Sequence, residues 1–499
     1  MNSTLLVSPW PVVMIALPLL VGLVMPLISR DRRVPGMALV LLTTAALLVT
    51  AIWLALDARD GIIRALTLVQ IAPPVWIAFR IDPLGALFAA TVAGLFVLAL
   101  AYAFGYLAGD RRQWRFMAFA LACQACMFGV AFAGNLVTLF VFYELFSLLS
   151  YPLITHDRSP RAVAAGLKYL VYIVCGGGLI LIGTILVFHL GATTDFMPGG
   201  LAEMTGSDRL KITTLVCLIA GFGVKSALMP LHGWVPDAHP AAPAPFSAVL
   251  SGVMVATGVF AILRVLFELF GPERLMAYGV LPWLGAIAGA SVLLAALRAV
   301  GEDDLKRRLA WSTISQMAYV LLAVSVLGVQ ALTGALVHIT HHAFLKGGLF
   351  FCAGLIVSVA GFNRVSELRG LSRRMPLTAL ALTILALGLV GVPPLSGFVS
   401  KWLLGLGLAE SRAMIHLGVM LAGALLAAVY LWPVIYRIWL PGDNNHAPPI
   451  DKPEASWWML GALLAAVLLS IVLGIAAAVP GFPFDLARAA AAWMLGHSP

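Results

Sequence analysis

Four lysines and one glutamate lie inside long apolar runs, where an ionised side chain is expensive. Lys168, Lys225, Lys346 and Lys401 are the lysines, and of the 22 acidic residues only Glu144 sits mid-run, in LVTLFVFYELFSLLSYPL. Each such charge at the centre of a bilayer costs about 2.5–3.5 kcal/mol on insertion scales, so five in one chain demand a use. The bland alternative is that each pairs with backbone carbonyls or snorkels, and for Lys168, near the end of its run, snorkelling accounts for the residue as well as function does. A carboxylate at the position of Glu144 needs a cation nearby or it takes up a proton. Lys225 is the natural candidate.

The surroundings of these lysines are equally suggestive. The stretch 219–246 reads IAGFGVKSALMPLHGWVPDAHPAAPAPF. Pro230, five residues after Lys225, removes a backbone donor and breaks or kinks the helix. If the helix resumes, His232 lies about two turns beyond Lys225, on roughly the same face. Pro236, Asp237, His239 and three further prolines follow. A second interrupted segment, GLVGVPPLSGFVSKW, has Pro393-Pro394 flanked by Gly391 and Gly397, with Lys401 seven residues past the break. Interrupted backbone survives in lipid only where protein or a wet cavity covers it, which makes both lysines ion-pathway residues by default. Between them, HITHHAFLKGGLFFCAG places His338, His341, His342 and Lys346 at i, i+3, i+4 and i+8, one stripe of a helix. Imidazoles and an amine in one buried row suit a proton relay, because histidine titrates near neutrality. A His-x-x-His metal site or helix-to-helix hydrogen bonding would use the same spacing, but no cysteine or carboxylate partners lie close by in sequence.

Composition sets the class. The 499 residues are 62% hydrophobic and 11% charged, with a mean hydropathy of +1.01, which lies outside the range of soluble domains. The net charge of +9 sits mainly in short connecting loops and so reads as a topology signal rather than a nucleic-acid surface. Cys123-x-x-Cys126 has no second pair beside it and is read as small-residue packing. The N-terminus lacks the basic segment of a cleaved secretory signal.

Fourteen apolar spans are expected: 9–29, 36–56, 84–107, 116–133, 135–155, 163–189, 211–229, 244–266, 280–300, 309–328, 331–360, 376–394 continuing to 410, 412–437 and 457–480. With both termini outside, eighteen Lys/Arg fall on the cytoplasmic side, Arg30, Arg32 and Lys452 among them. Nine fall outside, including Arg80 and Arg264. That asymmetry supports the orientation. On this topology the two broken spans run in opposite directions and both lysines lie on the outer side of their breaks, as an inverted repeat would leave them. A short interfacial helix is expected over 485–495.

Several segments carry a specific resemblance: FYELFSLLSYPLI, the run VKSALMPLHGWVPDAHPAAPAPFSAVLSGVMVATGVFAILRV, DDLKRRLAWSTISQMAYVLLA, THHAFLKGGLFF and GVPPLSGFVSKW. Over about residues 80–440 the chain resembles the proton-conducting subunits shared by respiratory complex I, membrane-bound hydrogenases and Mrp-type cation/proton antiporters, the D-type antiporter component most of all. The resemblance implies an all-α polytopic fold of about fourteen transmembrane helices, with two inverted five-helix repeats and discontinuous helices 7 and 12. It divides the chain into an N-terminal segment (1–110), a first repeat (111–270), a second (271–437) and a C-terminal piece (438–499). It also implies that Glu144 tunes Lys225, that Lys346 is the central relay and that Lys401 is the terminal exit. Ala256 stands where the family often has a lysine, so that step falls to water or histidine. The lysine of the twelfth span and the chain's stopping soon after the fourteenth set aside particular complex I subunits.

The expected function is therefore proton translocation along Glu144, Lys225, Lys346 and Lys401, with His232, His338, His341 and His342 assisting, in a multisubunit Na⁺ or K⁺/H⁺ antiporter of a bacterial inner membrane. The alternative is a pumping subunit of complex I or a hydrogenase. No phosphate-binding loop, dinucleotide fingerprint or cluster-binding cysteine set is present, so no cofactor and no metal is expected, and the energy comes from an ion gradient or partner membrane subunits. A non-transporting scaffold and a quinone-binding redox enzyme are the readings from other classes.

Overall fold

The structure is a computed structural model and describes residues 4–27, 33–72, 75–191, 193–441, 454–478 and 483–496. Arg30, Arg32, Lys452 and the extreme termini, which bear on the expected topology, lie outside the described residues. Eleven helices among those described are long and apolar enough to cross a membrane, from Trp10–Leu27 to Trp457–Ile475. Three more polar or shorter pieces lie among them: Asp208–Lys225, Leu305–Val324, and the pair Pro376–Val390 and Ser396–Glu410. Large apolar side chains such as Val171, Leu297, Leu425 and Leu468 are more than half exposed on the outer helices. That is stable only against hydrocarbon or another protein. The chain is a multi-pass membrane protein.

Local chemistry explains where these helices begin. Asp82 accepts a hydrogen bond from the Gly85 amide at 2.9 Å, Asn135 from that of Thr138 at 2.7 Å, and Asp304 from that of Arg307 at 2.9 Å, each satisfying a first-turn donor. The breaks are just as local. After Lys225 the chain turns through 226–234, forms a short helix at Val235–Ala241, and starts again at Ala244. Trp234 Nε1 donates to the freed Val224 carbonyl at 2.8 Å, and the Met229 amide donates to Ser291 Oγ at 3.1 Å, so the interruption is met by protein. At the other break, Pro376–Val390 ends on Gly391 at φ +105°, and a Cβ there would lie 3.1 Å from Lys401 Cδ. Glycine is required there by both the backbone and the lysine.

The centre of the molecule is the helix Val329–Leu355. It packs against Ser396–Glu410, Leu305–Val324, Pro83–Tyr106 and the fully buried stretch Ala244–Phe270. The short helix expected over 485–495 is present as Phe484–Met494. Leu486, Ala490 and Met494 are buried, and it packs on Val329–Leu355 and Pro83–Tyr106. One feature departs from an all-helical chain. Strands β1 (Thr4–Val7), β2 (Ile62–Ala72) and β3 (Val75–Ile81) form a sheet in that order, β1 parallel to β2 and β2 antiparallel to β3.

Beside that sheet lies a charge network that departs from expectation. The span pattern puts Arg80 and Arg264 in outer loops or helix ends, and leaves Glu144 as the only acid within a span. Instead Asp82, Arg264 and Glu268 are fully buried. The Arg264 guanidinium donates to both Asp82 oxygens at 2.6 and 2.9 Å and also to Glu268. Arg80 donates to Asp82 at 3.0 Å and also to Glu268 and the Phe196 carbonyl. The ends of these spans are covered by β3, the loop around Phe196 and the C-terminal helix, whose Trp493 ring lies 5.5 Å from the Arg80 guanidinium.

Removing one partner of a buried ion pair leaves an uncompensated charge, at a cost of about 3–5 kcal/mol. Arg264→Met is therefore expected to lower the apparent unfolding temperature in detergent by several degrees, read by tryptophan fluorescence. A melting curve superimposable on the parent would show that the network holds nothing.

Candidate functional site

The three fully apolar-embedded lysines are each held by oxygen atoms from another segment. Lys225, the last residue of Asp208–Lys225, is 1% exposed. Its ammonium donates to Ser147 Oγ and lies 4.0 Å from the centre of the Phe146 ring and 4.9 Å from that of Tyr143. These partners share the helix Leu136–Ile154 with Glu144. Glu144 and Lys225 are close enough for their charges to interact, but among the described residues they form no ion pair. The carboxyl instead packs on Gly177, where a Cβ would fall 2.8 Å from it, and its Oε1 has no protein partner.

Lys346 is completely buried on the central helix. It donates to the Leu309 carbonyl at 2.7 Å and to Ser312 Oγ. The same carbonyl accepts from the hydroxyls of Ser312 at 2.8 Å and Thr313 at 3.0 Å, and Thr313 shares a hydrogen with Ser251 at 2.6 Å. A line of hydroxyls thus leads from Lys346 into the eighth span. Ala256, which takes the place of a lysine common in the proteins this chain resembles, is itself buried and contributes no side-chain polar group.

Lys401 donates to the carbonyls of Leu389 at 2.6 Å and Val390 at 2.8 Å, the free C-terminal acceptors of the half-helix before the break. A helix C-terminus carries partial negative charge, so this is an electrostatically favoured seat for an ammonium. The neighbouring Ser400 pairs with His338 Nδ1 at 3.0 Å, and the Ser396 carbonyl accepts from His341 Nδ1 at 2.7 Å. The Tyr319 ring lies 5.7 Å from the Lys401 ammonium and 6.0 Å from the His338 ring, bridging the two.

His342 is 6.0 Å from His338, ring centre to ring centre. Neither of its ring nitrogens has a protein partner, and the same holds for both nitrogens of His239, for Nε2 of His338 and His341, and for the Gln316 amide. Buried polar atoms are nearly always hydrogen-bonded, so groups like these are where internal water binds. His342 feels the charges of both Lys346 and Lys401, and His239 those of Lys346 and Lys306.

His232 departs from the face expected of it, and Lys168 and His239 take places that the sequence left open. His232 does not continue the face of Lys225, because 226–234 is turn and not helix. Its ring packs 5.3 Å from Trp311 and lines a separate side cavity. Lys168 pairs with Asp237 at 2.6 Å, and Asp237 also accepts from Arg307 at 2.6 Å, an ion-pair cluster at the helix ends. His239, to which the proline-rich run gives no expected role, is fully buried and stacks 4.9 Å from Phe350, one turn from Lys346. Among the described residues no three His, Cys, Asp or Glu side chains converge to hold a metal ion.

A bowl of about 1040 Å³ opens beside this line. Asp110, Asp157, Asp303 and Lys306 are among the residues lining it. Lys306 donates to the Ala242 carbonyl at 3.1 Å, and Ser247 joins that carbonyl, at 3.2 Å, to the carbonyl of His239, at 2.8 Å. At the rim, Asp110 pairs with His156 at 3.0 Å. Burial pushes the His156 imidazole below its usual range, though the Asp110 carboxylate opposes this.

A membrane protein with ionisable groups strung between two broken helices is an ion-conducting type of fold. The family model described as NADH:quinone oxidoreductase/Mrp antiporter, TM matches residues 133–428, and that of the complex I chain 5 N-terminus matches residues 73–117. The chain belongs to this NADH:quinone oxidoreductase/Mrp antiporter family. It is 36% identical to the N subunit of the NADH-quinone oxidoreductase of Desulforudis audaxviator over 82% of this chain and 83% of that one. It is 28% identical to the D subunit of the Na(+)/H(+) antiporter of Alkalihalophilus pseudofirmus over 95% and 94%. Its fold matches a chain of the Mrp complex from Dietzia sp. with a TM-score of 0.86 at 23% identity, covering 98% of each.

Because Gly177 is what makes room for the Glu144 carboxyl, Gly177→Ala is expected to displace it and slow proton transport on the order of tenfold, the equivalent of about 1.4 kcal/mol. Dye quenching in vesicles at matched expression would measure this. An unchanged rate would separate the position of Glu144 from transport.

Proposed function

We propose that this chain is a proton-translocating subunit of a multisubunit Na⁺ or K⁺/H⁺ antiporter, moving protons through Lys225, Lys346 and Lys401 under the influence of Glu144. The observation that carries the reading is that each lysine is buried in the membrane yet bound to neutral oxygens rather than to a carboxylate. An ammonium held by a hydroxyl or carbonyl can release its proton without leaving a naked anion behind, whereas an ion-paired lysine is locked in its charged form.

In this reading protons are taken up at the bowl. Its side of the molecule carries Arg112, Arg161, Lys306, Arg307 and Arg364, and the excess of basic residues makes it the cytoplasmic side. They reach Lys346 past Lys306 and His239. Ser251, Thr313 and water connect Lys346 towards Lys225, in place of a lysine at Ala256. His338, His341 and His342 with Tyr319 connect it to Lys401, which releases protons on the opposite side. Motion of the Glu144 charge relative to Lys225 sets whether that lysine holds its proton. His232 stands off this line. The chain is a transporter subunit whose energy comes from an ion gradient or from other membrane subunits; both termini are periplasmic and the membrane is a bacterial inner membrane.

The likeness to the antiporter's D subunit, which extends over 95% of the chain, supports the antiporter assignment. The 36% identity to the N subunit of an NADH-quinone oxidoreductase supports a second reading, a pumping subunit of a redox-driven complex. Sodium- or potassium-dependent pH change in vesicles containing the chain and its partner subunits separates them. The antiporter reading expects a response to added cation, and the redox reading expects none without an electron donor.

The residue assignment has its own test. Lys225→Ala and Glu144→Ala are expected to abolish proton movement while membrane insertion and yield stay at parental levels. Full activity in both variants would end the assignment.

A further inference from the structure

The break in the seventh span faces a cavity that the proton line does not use. It encloses about 480 Å³ and is lined by Met229, His232, Leu294, Leu297, Arg298 and Trp311. Leu294 is 52% and Leu297 54% exposed on the outer face of the helix Leu281–Gly301, so the cavity opens sideways, towards the bilayer. One part of its wall is apolar, from Met229, Leu294, Leu297 and Trp311. The other part is basic.

The basic part lacks an anion. Arg298, in the last turn of Leu281–Gly301, has no ion-pair or hydrogen-bond partner among the described residues. Close by, Asp237 is shared between Lys168 and Arg307, and Glu302 lies 3.7 Å from Arg307. With Arg298 included, three cations stand against two carboxylates. His232 feels the charges of both Lys168 and Arg298, and its buried Nδ1 has no protein partner. The break's freed peptide groups are met by protein, Trp234 on the Val224 carbonyl and Ser291 on the Met229 amide, so the apolar wall of the cavity can take hydrocarbon without leaving backbone unsatisfied. An apolar slot with a basic rim at a helix end fits a molecule with a tail and an anionic head.

We propose that this cavity binds an anionic phospholipid, its phosphate held by Arg298 beside His232 and an acyl chain lying against Met229, Leu294, Leu297 and Trp311. The lipid covers the membrane side of the seventh-span break and completes the positive cluster. This site depends on the chain's spanning a membrane and not on the route of the protons, so it stands or falls separately from the transport reading.

The test uses the purified full chain in nanodiscs doped with diazirine-bearing phosphatidylglycerol or phosphatidylcholine, with labelled residues mapped by mass spectrometry. Labelling of the Met229, Leu294, Leu297 and Trp311 peptides is expected to be about fivefold stronger from phosphatidylglycerol, the preference one basic residue supplies near a membrane surface. Arg298→Gln is expected to erase that preference while leaving the protein monodisperse. Leu294→Trp, which fills the cavity, is expected to reduce labelling from both lipids. Inorganic phosphate is expected not to compete. Equal labelling by both lipids in the parent, indifferent to Arg298→Gln, would reduce the site to ordinary hydrocarbon contact and overturn the proposal. Competition by phosphate would make it a soluble-anion site. Absence of label would mean that protein covers the slot, and either result overturns it too.

Discussion

An ammonium group in hydrocarbon has to be met by oxygen, and the architecture of this protein follows from where those oxygens come from. A continuous helix offers an ammonium little, because each carbonyl already accepts four residues on and keeps only one lone pair free. At Lys401 the acceptors are made by ending a helix at Val390. At Lys346 they come from the Leu309 carbonyl and the Ser312 hydroxyl. At Lys225 a serine supplies one and two aromatic faces do the rest. None of these partners is an anion, and that is the feature on which the proposed proton route rests.

Such a line needs a rigid frame, because a hydrogen bond fails over tenths of an ångström. The frame is the buried pairing of Asp82, Arg264 and Glu268 with Arg80, which ties the start of the third span to the end of the eighth. The ion-paired charges here and the lysines held by neutral oxygens use the same low dielectric in opposite ways. A satisfied network locks a position, while a lone ammonium on neutral oxygens stays exchangeable.

Much of this was legible in the sequence because it is costly. Glu144, Lys225, Lys346 and Lys401 stood out against runs of Leu, Val and Ala, and Pro230 and Pro393-Pro394 marked the breaks. The buried network was not legible, since Asp82, Arg264 and Glu268 lie at span ends, where a charge ordinarily reaches water. Only the folding of β3, the loop around Phe196 and the C-terminal helix over that end removes the water. The shared face of His232 and Lys225 was conditional on the helix resuming, and it does not. Helical spacing carries no information across a turn, and 226–234 is turn. His239 could have been noticed as a histidine among prolines deep in an apolar chain, but its place beside Phe350 and Lys346 is a matter of tertiary packing.

The central claim, a wet line linking the three lysines, is most directly tested by a cryo-EM map of the assembled complex in lipid nanodiscs at a resolution that shows ordered water. The account predicts waters bonded to His239 on the uptake side of Lys346, to the Ser251 and Thr313 hydroxyls between Lys225 and Lys346, and to Gln316, His338, His341 and both nitrogens of His342 between Lys346 and Lys401. Finding those nitrogens packed dry against alkyl side chains would contradict it.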